Sequence, residues 1–317
     1  MLDARQLEAL VAVIEHGGFG AAAERLHLTL AAVSLRVKAL EAAIGQRLLV
    51  RGKTARATPA GQALLAHARQ LQLMEADLLA GLPGGAATAE RDWRSLRVAV
   101  NADSVAAWFL PGVAPLLQRQ RLLLDIVVDD QDHTHDALKG GEVSGCVSTL
   151  AEAMRGCVAE PLGVMRYRCV ARPALARQCR TPSGAVSPHQ LLGLPAVIFN
   201  RKDALQDAFL EQHFGLRQAG YPRHFVPATD AFMAAIELGL GWGMVPELYL
   251  AQRAGRPELV ELLPGATVEV ALYWQRWLRE PPSAQRLTQA VKEAARAQLA
   301  PIPARAGCDR APGTGQT

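Results

Sequence analysis

The apolar positions divide the chain into two regimes: helical spacing up to about residue 82, and strand–helix alternation beyond residue 95. In the first regime Leu7, Leu10, Val11 and Ile14 recur at helical spacing. They predict a helix over Leu2–Glu15, stopped by His16-Gly17-Gly18. Phe19 then plugs the core of a small helical domain, and Ala21–Leu26 reads as a second helix. After a short joint at His27-Leu28-Thr29, residues Thr29–Glu41 predict a third, which ends near Ile44-Gly45. Its apolar stripe is Ala32, Val33, Val37 and Leu40; its polar surface is Ser34, Arg36, Lys38 and Glu41; Thr29 is placed to cap it. Two short helices with a tight joint, the second one basic, form the pattern of a helix-turn-helix. The second helix of such a pair enters the major groove of double-stranded DNA.

Gln46–Thr58 differs in kind. Leu48-Leu49-Val50 is a short apolar run and Arg51-Gly52-Lys53 a basic turn, so the segment predicts a small β-hairpin, or wing. From Arg36 to Arg56 there are six cations against one anion, a local excess larger than the net +4 of the whole chain. Positive charge is thus concentrated where phosphate contact requires it. The DNA-contacting candidates are Thr29, Ala31, Ala32, Ser34, Arg36 and Lys38 on the helix and Arg51, Lys53 and Arg56 on the wing. Thr58 caps the next helix, with Pro59 in its first turn, and the helix runs to about Leu82. Its apolar seam (Leu64, Leu65, Ala68, Leu71, Met74, Leu78, Leu79) has no domain of its own to cover it, which suggests pairing with a second copy. Packing against its own domain is the alternative.

Pro83-Gly-Gly-Ala-Ala-Thr88 reads as a flexible linker. Beyond it, strands are expected at Leu96–Val100, Leu123–Val128, Gly145–Ser148, Arg166–Ala171, Ala196–Phe199, Trp242–Val245 and Val268–Trp274. Helices are expected at 104–120, 134–140, 203–213, 230–240 and 284–299. The alternation means an α/β region with largely parallel sheets. Its length favours two lobes around a cleft, the chain crossing between them near 162–167 and 264–269. The expected organisation is a reader domain over 1–58, a linker helix over 59–82, a flexible linker over 83–95 and a two-lobed α/β domain over 96–300. Lobe I takes 96–164 and 268–300, lobe II takes 165–267, and a disordered tail covers 301–317.

Bulk composition narrows the function class. The five cysteines form no C-x-x-C pair and are odd in number, so a disulfide framework and a zinc site are not expected, and a reduced cytoplasm fits best. Charges in the first helix exclude a signal peptide, and no apolar run reaches membrane-span length. No metal or cofactor is expected. His133-Thr134-His135 lacks metal-ligand spacing, Gly239-Leu-Gly-Trp-Gly243 is a helix-to-strand joint rather than a dinucleotide turn, and no nucleophile elbow is present, so an enzyme is not expected.

Five linked pieces carry a family resemblance: Ala21-Ala-Ala-Glu-Arg-Leu26, Ala32-Val-Ser34, Lys38-Ala-Leu-Glu41, Gly45-Gln-Arg-Leu-Leu-Val-Arg51 and Thr58-Pro-Ala-Gly61. In order and spacing they resemble the winged helix-turn-helix of LysR-type transcriptional regulators. Val98–Ser104, Trp108-Phe-Leu-Pro111, Gly141–Ser148 and Leu272-Tyr-Trp274 resemble the arginine/lysine-responsive branch that controls basic amino acid exporters. The resemblance spans roughly residues 2–298. It implies a two-lobed, periplasmic-binding-protein-like α/β effector region behind the α-helical winged domain and long linker helix. It also implies a dimer through that helix, commonly a tetramer, with DNA, a small-molecule effector and RNA polymerase as partners. The chain departs from the family pattern at Leu30, Ala31 and Leu35, where polar residues are usual. Alternatives are a different small-molecule effector, or a nucleoid-associated protein that binds DNA without a ligand.

For the effector site, ligands of open α/β lobes sit beyond the carboxyl ends of the strands. Asn101, Asp103 and Ser104 follow the first strand, with Ser104 and the backbone at 104–105 expected to hold an α-carboxylate; helix capping by Asp103 or Ser104 is equally open. Asp129 and Asp130, with Asp132 behind them, are candidates for a cationic side chain, or else form an acidic surface loop. Ser148, Thr149, Thr229 and Asp230 complete the ring. Trp108 is expected in the core.

Overall fold

The structure is a computed structural model that describes residues 2–50, 52, 54–82, 93–128, 137–138, 140–252 and 258–302. Several expectations lie outside the described residues: Arg51, Lys53, Asp129, Asp130, Asp132, the His133/His135 pair, Cys308, most of the 83–95 linker and of the 134–140 helix, and the tail beyond 302.

The N-terminal unit is built from α1 (Ala4–Glu15), α2 (Phe19–Leu26) and α3 (Leu30–Ile44). Asp3 caps α1 by accepting from the Arg5 and Gln6 amides, and Thr29 Oγ1 caps α3 by accepting from Ala32 at 3.2 Å. His27 and Gly45 take left-handed conformations that end α2 and α3. Leu10, Val13, Val33, Val37, Leu40, Leu48 and Leu65 close a core of their own, with Phe19 packed at its edge. Strands β1 (Leu49–Val50) and β2 (Arg56–Ala57) pair antiparallel as the wing. The linker helix α4 (Pro59–Gly81) is capped by Thr58, whose Oγ1 accepts from Gly61 at 3.1 Å. Its first half is buried at Leu65, Ala66 and Ala68, whereas Leu71, Met74, Leu78 and Leu79 are exposed. The first half thus packs against its own domain, and the apolar residues of the second half are left uncovered.

The effector region starts with β3 (Arg94–Ala99). A short helical turn, Ala102–Ser104, runs through a π-turn (Val105–Phe109) into α5 (Leu110–Gln120). β4 (Leu122–Val127) and β5 (Gly145–Ser148) flank β3 in parallel. Then comes β6 (Cys157–Ala171), a 15-residue strand and the main departure from expectation. It pairs antiparallel with β11 (Thr267–Trp277) along nearly its whole length. The sheet is thus mixed, not largely parallel, and residues 162–167, where a crossing between lobes is expected, lie in the middle of this strand. Pro161 and Gly163 hid it. Pro161 stands opposite Tyr273 where the register shifts, and Gly163, at φ +147, is pressed against Leu299, so both occupy an irregularity that a strand tolerates.

Beyond β6 lie α6 (Pro173–Gln178), α7 (Pro188–Leu192), β7 (Ala196–Ile198), α8 (Leu205–Phe214) and β8 (Arg223–Phe225). They are followed by α9 (Thr229–Glu237), β9 (Gly243–Pro246), α10 (Glu247–Ala251), β10 (Val260–Glu261) and, after β11, α11 (Pro282–Gln298). β9 and β10 pair with the second half of β6, and the Gly239–Gly243 run is the α9-to-β9 joint. One apolar core runs from Leu96, Trp108 and Trp274 on one side to Phe209 and Trp242 on the other. No described helix is long and apolar enough to cross a membrane.

The linker helix also docks on the effector region. Asp77, with a side chain only 3% exposed, accepts from Arg94 Nη1 at 2.7 Å and from both the amide and the hydroxyl of Ser283 at 2.8 Å. Ser283 opens α11, so the carboxylate sits where free N–H groups and the helix dipole favour an anion. Gly141 abuts the same helix: a Cβ there would lie 2.2 Å from Ala66 Cα. Asp77→Ala leaves the Ser283 donors and Arg94 unpaired and is expected to cost about 1–3 kcal/mol. Chemical denaturation reads the loss, and faster hydrogen exchange at the Ser283 amide localises it.

Candidate functional site

Two sites emerge, one at each end of the chain. On α3, burial of Val33, Val37 and Leu40 turns Ala31, Leu35, Lys38 and Ala42 to the opposite, open face. Ser34 and Ala32 lie half-buried on its flanks. Arg36 is turned towards α1, its guanidinium 3.9 Å from the Glu8 carboxylate. Arg47 and Arg56 are exposed at the wing. Thr29 is engaged as the cap of α3. Glu41, expected on the polar surface, has a different task. Its Oε1 accepts the Leu48 amide at 2.8 Å and ties the recognition helix to the wing, while the Thr58 hydroxyl donates to Arg47 O at 2.7 Å from the other side. The basic elements are therefore held as one surface.

The second site lies between the lobes. The chain leaves β3 at Val100, and Asp103 is carried inward on the short helical turn. Tyr167 of β6 donates to Asp103 Oδ2 at 2.9 Å. Burial pushes the Asp103 carboxyl up to about 6; the Tyr167 bond opposes this and the Asp203 charge adds to it. Asp203, just ahead of α8, comes from the other lobe. Its carboxylate accepts from the Phe199 and Leu205 amides, yet burial holds its pKa above the ordinary range. Among the described residues, none of the groups acting on either carboxylate is a cation. Tyr249 on α10 completes the cluster: burial, Asp103 and Asp230 push its phenol up to about 12. Four buried polar atoms in these segments have no partner among the described residues: Asn101 Oδ1, Ser104 Oγ, Trp108 Nε1 and the Tyr249 hydroxyl. Buried polar groups are normally paired, so such a group of orphans marks a place for a polar ligand.

Among the sequence candidates, Asn101, Asp103 and Ser104 stand in this cleft. Strand register puts Ser148 level with Asn101, with Thr149 next in line. Thr229 opens α9 without a capping bond, and Asp230 is exposed within reach of the Tyr249 field. One expectation fails: the amides of Ser104 and Val105 both donate to Asn101 O, at 3.0 and 3.2 Å, and are not free for a carboxylate. Only the Ser104 hydroxyl is. The Ser104 side chain makes no capping bond, and the Asp103 carboxylate is engaged by Tyr167. Trp108 is in the core, as expected. Asp203, Tyr167 and Tyr249 escaped sequence reasoning. Asp203 was legible, because it follows β7 as Asp103 follows β3; the two tyrosines carry no local signal. A wider cavity, about 540 Å³, lies elsewhere, lined by Glu160, Arg276, Glu280 and Lys292, but these charges pair with one another.

A DNA-reading head, a linker helix and a two-lobed cleft define a ligand-regulated DNA-binding protein. Residues 4–62 match the model of the bacterial regulatory helix-turn-helix protein, lysR family, and residues 90–296 match the LysR substrate binding domain. The transcriptional regulator ArgP of Aeromonas salmonicida is 38% identical over 302 residues, covering 95% of this chain and 99% of that one. The crystal structure of ArgP from Mycobacterium tuberculosis superposes with a TM-score of 0.85 at 39% identity, covering 95% of this chain and 100% of that one. Full-length LysG from Corynebacterium glutamicum with bound effector arginine gives 0.79 at 32% identity, covering 94% and 100%. The chain belongs to the LysR family of bacterial transcriptional regulators, on its ArgP/LysG branch.

Glu41→Ala should free the wing from α3. The expected outcome is a loss of about 1–3 kcal/mol in stability, read by thermal unfolding, together with weaker DNA binding in a gel-shift titration.

Proposed function

We propose that this regulator senses a basic amino acid, arginine or lysine, and controls genes for basic amino acid export or related metabolism. The observation that carries this is the Asp103–Asp203 pair, two part-buried carboxylates on opposite lobes on which no cation acts among the described residues. Such a pair is costly alone and is stabilised by a guanidinium or ammonium group. Asn101, Ser104 and Tyr249 supply hydrogen bonds to the remainder of the ligand, with Ser148, Thr149, Thr229 and Asp230 at the rim. Asp129 and Asp130, beyond the end of β4, stay in the proposal as further anions. The arginine bound by the LysG relative supports the same ligand class.

The protein works in the cytoplasm, and its role is regulatory rather than catalytic. Arg36, Lys38, Arg51, Lys53 and Arg56 anchor phosphates, while Thr29, Ala31, Ala32 and Ser34 line the groove. Two copies pair through Leu71, Met74, Leu78 and Leu79, and pairs of dimers set the spacing of the DNA-binding heads. A ligand shifts that spacing only as far as its affinity differs between the two arrangements.

Calorimetric titration of the full-length protein should show binding of arginine or lysine, with Asp103→Asn and Asp203→Asn each losing about tenfold or more. Undiminished binding by both variants, or a preference for a neutral amino acid, would overturn the proposal. Replacing Arg36 by Ala should weaken DNA binding at low salt, and an unchanged gel-shift midpoint would remove Arg36 from the interface.

A pH dependence follows from the raised Asp103 pKa, about 6 in the folded state against an unfolded value near 3.9. The folded protein holds the extra proton, so ligand-free stability falls as pH rises from about 4 to 6. A cation prefers the ionised form, so effector affinity should rise over the same window and level off above about pH 7. Asp103→Asn should flatten both curves, as followed by calorimetry and denaturation between pH 5 and 8.

A further inference from the structure

We propose that Leu35, with Leu30 ahead of it, reads thymine methyl groups in the major groove and sets the DNA sequence this protein selects. The inference rests on α3 being the helix that enters the groove. Leu35 is 69% exposed and Leu30 58% exposed, both on the helix a duplex would cover. Leu35 stands on the face opposite Val33, Val37 and Leu40, so it adds nothing to the domain core. One and two turns away on that face are Ala31 and Ala42, too short to make base-edge hydrogen bonds. Small residues there let the helix backbone come close, and Leu35 then projects furthest of its apolar groups.

Most polar side chains of α3 are engaged elsewhere, and Ser34 stands half-buried on the flank of the helix rather than on the Leu35 face. Thr29 Oγ1 caps α3, Glu41 holds the Leu48 amide of the wing, and Arg36 lies beside Glu8 on α1. Lys38 remains on the face, and as a flexible point charge it suits a phosphate or a guanine rather than thymine. A leucine offers neither donor nor acceptor. What it distinguishes in the major groove is the thymine C5 methyl group. Cytosine presents a C5 hydrogen there and an adjacent amino donor that leucine leaves unpaired. Burying one methyl group against a leucine is expected to favour binding about fourfold.

The test starts with duplexes selected from a random pool by the full-length protein. Each thymine of the best duplex is then replaced singly by uracil, which removes only the methyl group. The expected result is a loss of about fourfold at one or two positions in each half-site, with little change elsewhere. Leu35→Ala or Leu30→Ala should bind the thymine duplex more weakly and show no further loss on uracil at its own position. Lys38→Ala should weaken binding to thymine and uracil duplexes equally. Because Leu35 is exposed, its variant should keep the wild-type circular dichroism and melting temperature. Indifference of the wild-type protein to uracil at every position overturns the proposal, as does methyl dependence that survives in both leucine variants. If Lys38→Ala also leaves DNA affinity untouched, the assignment of α3 to the groove falls with it.

Discussion

Cys157–Ala171 and Thr267–Trp277 run side by side as one antiparallel ladder through both lobes of the effector region, and the cleft depends on it. β5 and β3 attach to one end of that ladder, and β9 and β10 to the other. Side chains from its middle, Leu162, Met165 and Leu272, belong to the apolar core that continues into each lobe. The lobes therefore cannot slide past each other. Relative motion has to flex the ladder, and its weak point is visible. The register shifts between Leu272 and Tyr273, beside Pro161, which donates no hydrogen bond, and Gly163, whose backbone only glycine adopts readily. Tyr167 sits four residues past that irregularity and bonds to Asp103 across the cleft, so the carboxylate cluster reports directly on how the ladder is bent.

Charge gives this geometry its sign. Asp203, from the opposite lobe, adds to the cost of ionising Asp103, which burial already raises. On the proposed reading, like charge opposes closure without a ligand, and a cation held between the two carboxylates draws the lobes together. Several other described acids differ in this respect. Glu160 is paired with Arg276 and Lys292, and Glu247 and Glu261 with Arg168, so those carboxylates have their counter-charges within the fold.

The N-terminal half was legible in the sequence because local signals decide it. Thr29 and Thr58 are caps, Gly45 ends α3, and helical spacing picks out Val33, Val37 and Leu40. The strand-end rule placed Asn101, Asp103 and Ser104 at the cleft for a similar reason: one motif follows one strand. What stayed hidden is long-range. Tyr167 and Tyr249 are ordinary core-like residues in sequence and acquire a role only when β6 and α10 are brought to β3. The β6 strand itself was masked by Pro161 and Gly163, which signal a break locally and are accommodated only because β11 bends with them. Glu41 shows the reverse error. It reads as a solvated face and is a tie to the wing, since its partner amide lies seven residues on in a different element.

A continuous set of rigid contacts joins the cleft to the DNA-reading head. The turn that carries Asp103 and Ser104 runs without interruption into the π-turn, whose Trp108 and Phe109 are wholly in the core. The same backbone continues as α5, where Gly112 lies so close to Ala294 of α11 that a Cβ would come within 2.1 Å. The first turn of α11 grips Asp77 of the linker helix through Ser283, and Ala66 of that helix meets Gly141. From there α4 enters the N-terminal core at Leu65 and Ala68. Packed interiors deform little, so a shift of the Asp103 turn is passed to α11 rather than absorbed. Adjacency alone does not establish coupling; the decisive property is whether the Asp77 junction has two arrangements that the ligand biases. The junction combines that polar contact with apolar ones, since Leu73 packs on the effector-region core and Ala66 on Gly141, so a carboxylate moving off the α11 N-terminus would have to shift the whole linker helix against that core.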